Sequence, residues 1–135
     1  TNAYSSGVFS STRVKNDALS KNYVNYSSIV RCMTDSSSSS FMVHLYRGMI
    51  FCQSINTSMN KCSSRSGIYC YSFSQSNYLT CSLSYSSFAD NIATTSTCIR
   101  FDSGDSICEI KSCNILRNTQ GSLSSEGTIY TFLHS

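Results

Sequence analysis

The residues best equipped for chemistry in this chain are its eight cysteines. A thiolate is both a nucleophile and a soft metal ligand, and thiols that meet can oxidise. Their spacing argues against the metal. No Cys-x-x-Cys pair occurs, and the two histidines, His44 and His134, stand far apart. Zinc sites are built from closely spaced ligand pairs, so neither a metal nor another cofactor is expected.

Carboxylates are the next candidates. Glycoside hydrolysis wants two carboxyl groups roughly 5 to 9.5 Å apart across a bond. Asp102 and Asp105 share the stretch FDSGDS from Phe101, with Asp90 and Glu109 as further acids. That stretch lacks the oxygen ligands of a calcium loop. Asp, Ser and Gly favour turns, so both aspartates are expected exposed in one. No Ser-His-Asp set stands out, and no catalytic residue is expected.

The elements that would hold such groups show in two recurring signals. Four phrases carry a cysteine: IVRCMT from Ile29, MIFCQS from Met49, YLTCSL from Tyr78 and IKSCNI from Ile110. Their cysteines are Cys32, Cys52, Cys81 and Cys113. Between them, at more even intervals, lie FMVHL from Phe41, IYCYS from Ile68, IRFDS from Ile99 and IYTFL from Ile129. Polar, serine-rich stretches fill the gaps. Tyr, Thr, Ile and Val favour strands, and no stretch has a helical apolar period. A repeat of this size made of short strands indicates a solenoid. The expected fold is all-β, a right-handed parallel β-helix of about four coils. Equivalent residues would then stack about 4.8 Å apart.

In that fold the cysteine phrase is expected to be an inward column of Cys32, Cys52, Cys81 and Cys113, since a free thiol behaves as a small buried hydrophobe. Cys70 should also face inward, while Cys62, Cys98 and Cys108 fall outside the column and are better placed for oxidation. The second signal alternates cleanly, with Phe41, Val43 and Leu45, Ile68 and Cys70, Ile99 and Phe101, and Ile129 and Thr131 inward. Its outward residues would align Tyr69, Arg100 and Tyr130 as a surface strip, which is either a binding surface for protein or glycan or cross-strand packing. Asn91 and Asn118 follow strand phrases, where they read as turn asparagines or as a stacked corner ladder; the turn is the simpler reading.

The stretch CEIKSCNILRNTQGSLSSEGTIYTF from Cys108 resembles the Ser/Asn/Cys-rich right-handed β-helix repeat proteins of parabasalid protists, and the resemblance extends over residues 29–135. It implies coils over 29–135, as part of a longer repeat protein, and leaves residues 1–28 as an N-terminal cap or linker, irregular or briefly helical. It speaks to fold and singles out no activity.

Net charge is +3 without a basic stripe, so nucleic acid is not an expected partner. No apolar run approaches the roughly 20 residues of a helical membrane span. Asn25 and Asn56 head N-x-Ser/Thr acceptor patterns for glycosylation. The sequence opens at Thr1 with neither Met nor a charged-then-apolar leader, as expected of a processed or excised fragment, and Thr128–Ser135 reads as an incomplete coil. Partners are therefore expected to be further coils or other chains docking at the C-terminal edge, with a glycan as second candidate. The expected function is a non-catalytic assembly or adhesion scaffold. The alternatives are a glycan-binding or glycan-cleaving β-helix and an intracellular, cytoskeleton-associated filament brick. Cell surface and cytoplasm both remain open as its home.

Overall fold

Apolar and polar residues alternate with period two in short runs, and those runs become strands. The computed structural model describes residues 10–34, 42–62, 66–73, 75, 78–94, 98–102, 106–120 and 129–132. A first circuit contains β1 (Ser10–Arg13), β2 (Lys21–Asn25), β3 (Ser28–Val30) and β4 (Met33–Thr34). A second contains β5 (Val43–Tyr46), β6 (Met49–Gln53), β7 (Asn56–Ser58) and β8 (Lys61–Cys62). The third contains β9 (Ile68–Tyr71), β10 (Leu79–Ser84), β11 (Ser87–Ala89) and β12 (Ile92–Ala93). The fourth contains β13 (Ile99–Asp102), β14 (Ile107–Lys111), β15 (Asn114–Leu116) and β16 (Thr119–Gln120), and β17 (Ile129–Phe132) opens another. No helix occurs among the described residues.

Each circuit contributes one strand to each of four parallel sheets, ordered β1-β5-β9-β13-β17, β2-β6-β10-β14, β3-β7-β11-β15 and β4-β8-β12-β16. The chain is thus all-β, with stacked parallel sheets in a solenoid-like course. Residues 10–28 belong to this stack. Lys21–Asn25 pair in register with Met49–Gln53, and Ser28 pairs with Asn56. The expectation of a cap or linker over 1–28 is corrected for that part: its polar strands gave no apolar signal because only Asn22 of β2 is fully buried.

Part of every circuit has a fixed length. Asn22, Ile50, Cys81 and Cys108 share one register position. Thr34, Cys62, Ala93 and Gln120 share another, and the distance along the chain from the first to the second is the same in all four circuits. Two single-residue corners interrupt this segment. The first is Tyr26, Ser54, Tyr85 or Ser112, and the second is Arg31, Met59, Asp90 or Arg117, all with φ between 48° and 56°. This left-handed conformation is unfavourable for non-glycine residues. It is held by hydrogen bonds along the stack: Tyr26 N donates to Gln53 O at 3.0 Å, Ser54 N to Ser84 O at 3.0 Å, and Asp90 N to Leu116 O at 3.0 Å. Circuit length varies only elsewhere. The period is 28 from Cys32 to Asn60, 31 from Asn60 to Asn91 and 27 from Asn91 to Asn118. Gly67 is required where it stands. Its φ is +93°, and a Cβ there would lie 1.9 Å from the Cys98 carbonyl oxygen.

The core is a set of columns running through the stack. Val43, Ile68 and Ile99 form one, and Leu45, Cys70 and Phe101 another, as alternation requires. Ile50, Cys52, Leu83 and Phe88 close it from the other sheets, all at 1% exposure or less. Fully burying such a side chain stabilises by about 1.5–3 kcal/mol.

The four phrase cysteines do not share a column. Cys52 stacks between Val24 and Leu83, while Cys81 stacks between Ile50 and Cys108. Cys32 sits at the second corner, where the next circuits have Asn60 and Asn91, and Cys113 sits at the first, beside Ser86. Cys52 and Cys81 are fully buried, but Cys32 and Cys113 are only partly covered. The physical reason is that a small apolar side chain fits any inward position, so cysteine does not mark which one.

Candidate functional site

Three features could carry function: the outer face of the β1-β5-β9-β13-β17 sheet, the interior thiols, and the end of the stack formed by β14, β15 and β16.

The register aligns His44, Tyr69, Arg100 and Tyr130 at one strand position, as expected for Tyr69, Arg100 and Tyr130, and the side chains of His44, Tyr69 and Arg100 meet outside the core. Tyr46 and Tyr71 form part of the adjacent row. The rings meet one another. Tyr46 and Tyr69 cross edge to face at 5.6 Å, His44 lies 5.6 Å from Tyr69, and Tyr46 lies 6.4 Å from Tyr71. The Arg100 guanidinium lies 5.9 Å from the Tyr69 ring centre. Tyr69 donates a 2.8 Å hydrogen bond to Asp102 Oδ2, and Arg100 Nε donates to the same oxygen at 3.2 Å. Burial, then the bond to Asp102, pushes the Tyr69 phenol well above its ordinary value.

Asp102 is therefore not an exposed turn residue. It ends β13, its side chain is 16% exposed, and its Oδ1 is buried without a hydrogen-bond partner. Strand pairing of Ile99–Phe101 with Ile68–Cys70 draws it in beside Tyr69. Asp105 lies outside the described residues. Asp90 is bound elsewhere, accepting from Arg117 Nε at 2.6 Å and Arg117 Nη2 at 2.8 Å. Asp90 and Asp102 thus have separate partners, Arg117 for the one and Tyr69 with Arg100 for the other. Asn25 and Asn56 both lie exposed on strands β2 and β7.

Inside, thiols neighbour one another: Cys70 interacts with Cys52 and Cys81, and Cys81 with its register partner Cys108. The interaction with Cys70 and burial push Cys52 up, and burial foremost pushes Cys81 up, so both are held as neutral thiols. Burial also pushes Cys70 up, while its interactions with Cys52 and Cys81 pull it down. Of the three cysteines read as lying outside the column, Cys62 and Cys98 are buried and Cys108 is half-buried. Among the described residues no group of three or more His, Cys, Asp or Glu is arranged to hold a metal.

At the second corner an asparagine ladder runs along the stack. Asn60 Nδ2 donates to Asn91 Oδ1 at 3.0 Å, and Asn91 Nδ2 donates to Asn118 Oδ1 at 2.9 Å. The backbone N–H groups follow the same direction: Cys32 N to Asn60 Oδ1 at 2.9 Å, Asn60 N to Asn91 Oδ1 at 3.2 Å, and Asn91 N to Asn118 Oδ1 at 3.1 Å. The turn reading of Asn91 and Asn118 is replaced by the ladder. The missed signal was Asn60, which stands one circuit before Asn91 as Asn91 stands one circuit before Asn118.

The ladder ends on a face that the described residues leave open. Ile110 is 36% exposed, whereas Leu83, its register partner one circuit earlier, is 0%. Cys108, Cys113, Ile115 and Asn118 are likewise partly exposed above fully or almost fully buried equivalents. At the other end of the stack Asn22 and Ile29 remain 2% exposed.

No protein family, curated protein or solved structure matches the chain.

Proposed function

We propose that the chain is a non-catalytic structural and interaction module, a right-handed parallel β-helix that serves as an assembly or adhesion scaffold. The hand is supported by the strong preference of parallel crossovers, right-handed in about 98% of cases, and by the resemblance to parabasalid repeat proteins. The observation that carries the function is the open face at β14–β16. There the interior columns reach solvent, as the contrast between Ile110 and Leu83 illustrates. Among the described residues, three neighbouring strands have one unpaired edge each, and such edges invite strand addition. The partner is a further coil or another protein chain, in a filament or at a cell surface.

The outer strip supports the glycan reading less well. Its rings pack against one another, and Asp102 Oδ2 is engaged by Tyr69 and Arg100. Such satisfied contacts are what cross-strand packing looks like.

Sedimentation over a range of concentrations tests the scaffold reading. Self-association is expected, weakened at least tenfold by Ile110→Lys, which places a charge in the exposed column. A clean monomer at high concentration, with the β14–β16 amides protected from hydrogen exchange, would overturn it.

A further inference from the structure

The open end also exposes the last member of the thiol chain. We propose that Cys81 and Cys108 are a peroxide-oxidisable pair that locks the fourth circuit to the third through a disulfide. The two are register partners on adjacent parallel strands. Neighbouring strands lie about 4.8 Å apart, within the roughly 4.4–6.8 Å Cα separation of disulfides. The Cys108 thiol is near enough to help hold the proton on Cys81. Cys81 is fully buried, so an oxidant reaches it only through Cys108, which is half-buried because no described residue covers it from above.

The chemistry closes with hydrogen peroxide as the oxidant. The Cys108 sulfur attacks a peroxide oxygen, the O–O bond breaks, and a sulfenic acid and one water result. The Cys81 sulfur then attacks the sulfenic sulfur. The S–S bond forms, the S–O bond breaks, and the leaving hydroxide takes the Cys81 proton as a second water. Two thiols have together lost two electrons to the peroxide. Cys70, which also interacts with Cys81, can then attack Cys81 by thiol–disulfide exchange. That step moves the bond inward to Cys70–Cys81 and releases Cys108 as a thiol.

Cys113 is the built-in comparison. It is partly exposed at the same end, but its sulfur faces the carbonyl oxygens of Lys111 at 3.4 Å and Leu83 at 3.7 Å. Its register equivalent is Ser86. Without a thiol beneath it, oxidation there should stop at the sulfenic stage.

The pairing is independent of the scaffold reading and is tested by itself. The folded chain is treated with hydrogen peroxide, alkylated under denaturing conditions and digested with trypsin without reduction. Cleavage after Arg65, Arg100 and Lys111 places Cys81 in peptide 66–100, Cys108 in 101–111 and Cys113 in 112–117. A link between 66–100 and 101–111 is expected, or its exchange product, a Cys70–Cys81 link inside 66–100. Both should vanish in Cys108→Ser and in Cys108→Ala, and persist in Cys113→Ser. The proposal fails if 101–111 carries only unlinked sulfinic or sulfonic acid, if it links to 112–117 instead, or if Cys81 oxidises equally fast in the Cys108 variants.

Discussion

Asn60 and Asn91 lie one circuit apart, both fully buried, and the side-chain amide of the first donates to the carbonyl oxygen of the second at 3.0 Å. The backbone N–H of Asn60 donates to that same oxygen at 3.2 Å. A buried donor deprived of its acceptor costs roughly 1–3 kcal/mol. Asn91→Ala removes the acceptor of two such groups, and also the donor to Thr57 O. A loss of at least about 2 kcal/mol is expected in urea unfolding, by the same rule. Asn118→Ala should cost visibly less, because that position is partly open to water. Equal losses would mean that the ladder does not act as a buried network.

The left-handed corners should tolerate glycine. Tyr85 has φ 50° and is 60% exposed, so it contributes strain with little packing in return. Removing the Cβ relieves roughly 1–2 kcal/mol of steric cost, partly offset by the greater entropy glycine loses on folding. Tyr85→Gly is expected to be neutral or to stabilise by up to ~1 kcal/mol in the same assay, against the usual penalty for glycine in a strand. A loss above that size would show that the Tyr85 ring contributes packing.

Alkali should unfold the protein in a defined window. Burial, with nearby Cys32 adding, pushes the Cys62 thiol from 9.0 up to about 11. A raised folded-state value means that the native state holds the proton longer. Stability from this group is therefore complete below pH 9.0 and is lost as pH rises toward 11. Cys62→Ala should flatten that limb of the stability–pH curve. An unchanged slope would show that Cys62 ionises freely in the fold.

Tyr69 should stand apart in a phenol titration. Burial and the bond to Asp102 hold its proton, whereas Tyr26 and Tyr85 are mostly exposed. Ultraviolet phenolate absorbance should show Tyr69 ionising only with alkaline unfolding, a step that Tyr69→Phe removes. Asp102→Asn removes the charge but keeps an acceptor oxygen, so it should shift that step only part of the way down. Burial remains the larger cause. A single cooperative step for all tyrosines near their ordinary value would contradict the contact.

Much of the fold was legible because one sheet obeys simple alternation. Val43 and Leu45, Ile68 and Cys70, and Ile99 and Phe101 are inward in the sequence pattern and buried in the structure. The row of Tyr69, Arg100 and Tyr130 followed from the same reading. The other three sheets were harder. Their strands can be as brief as Asn56–Ser58 or Lys61–Cys62, too short for a period to emerge, and left-handed corners reset the parity between them. The cysteine phrases matched as strings yet straddled different corners. Cys32 and Cys52 stand closer together in the chain than any two equivalent positions of adjacent circuits. The position of Asp102 was unreadable for a different reason: whether an aspartate at a strand end faces solvent depends on the tyrosine of the previous circuit.

The constant stretch that runs from Asn22 to Thr34, and from Ile50, Cys81 and Cys108 to their own counterparts, makes part of each circuit a ruler. Corners, ladder and three sheets are all laid off along it, so one residue inserted there would throw the corner amide off the stack. The remainder of the circuit acts as slack. It already absorbs periods of 28, 31 and 27 without disturbing the register on either side. Differences of length can therefore be taken up in that arc, on either side of its own buried strand, while the metric arc keeps the coils in step. The molecule separates where its circuits must agree in length from where they need not.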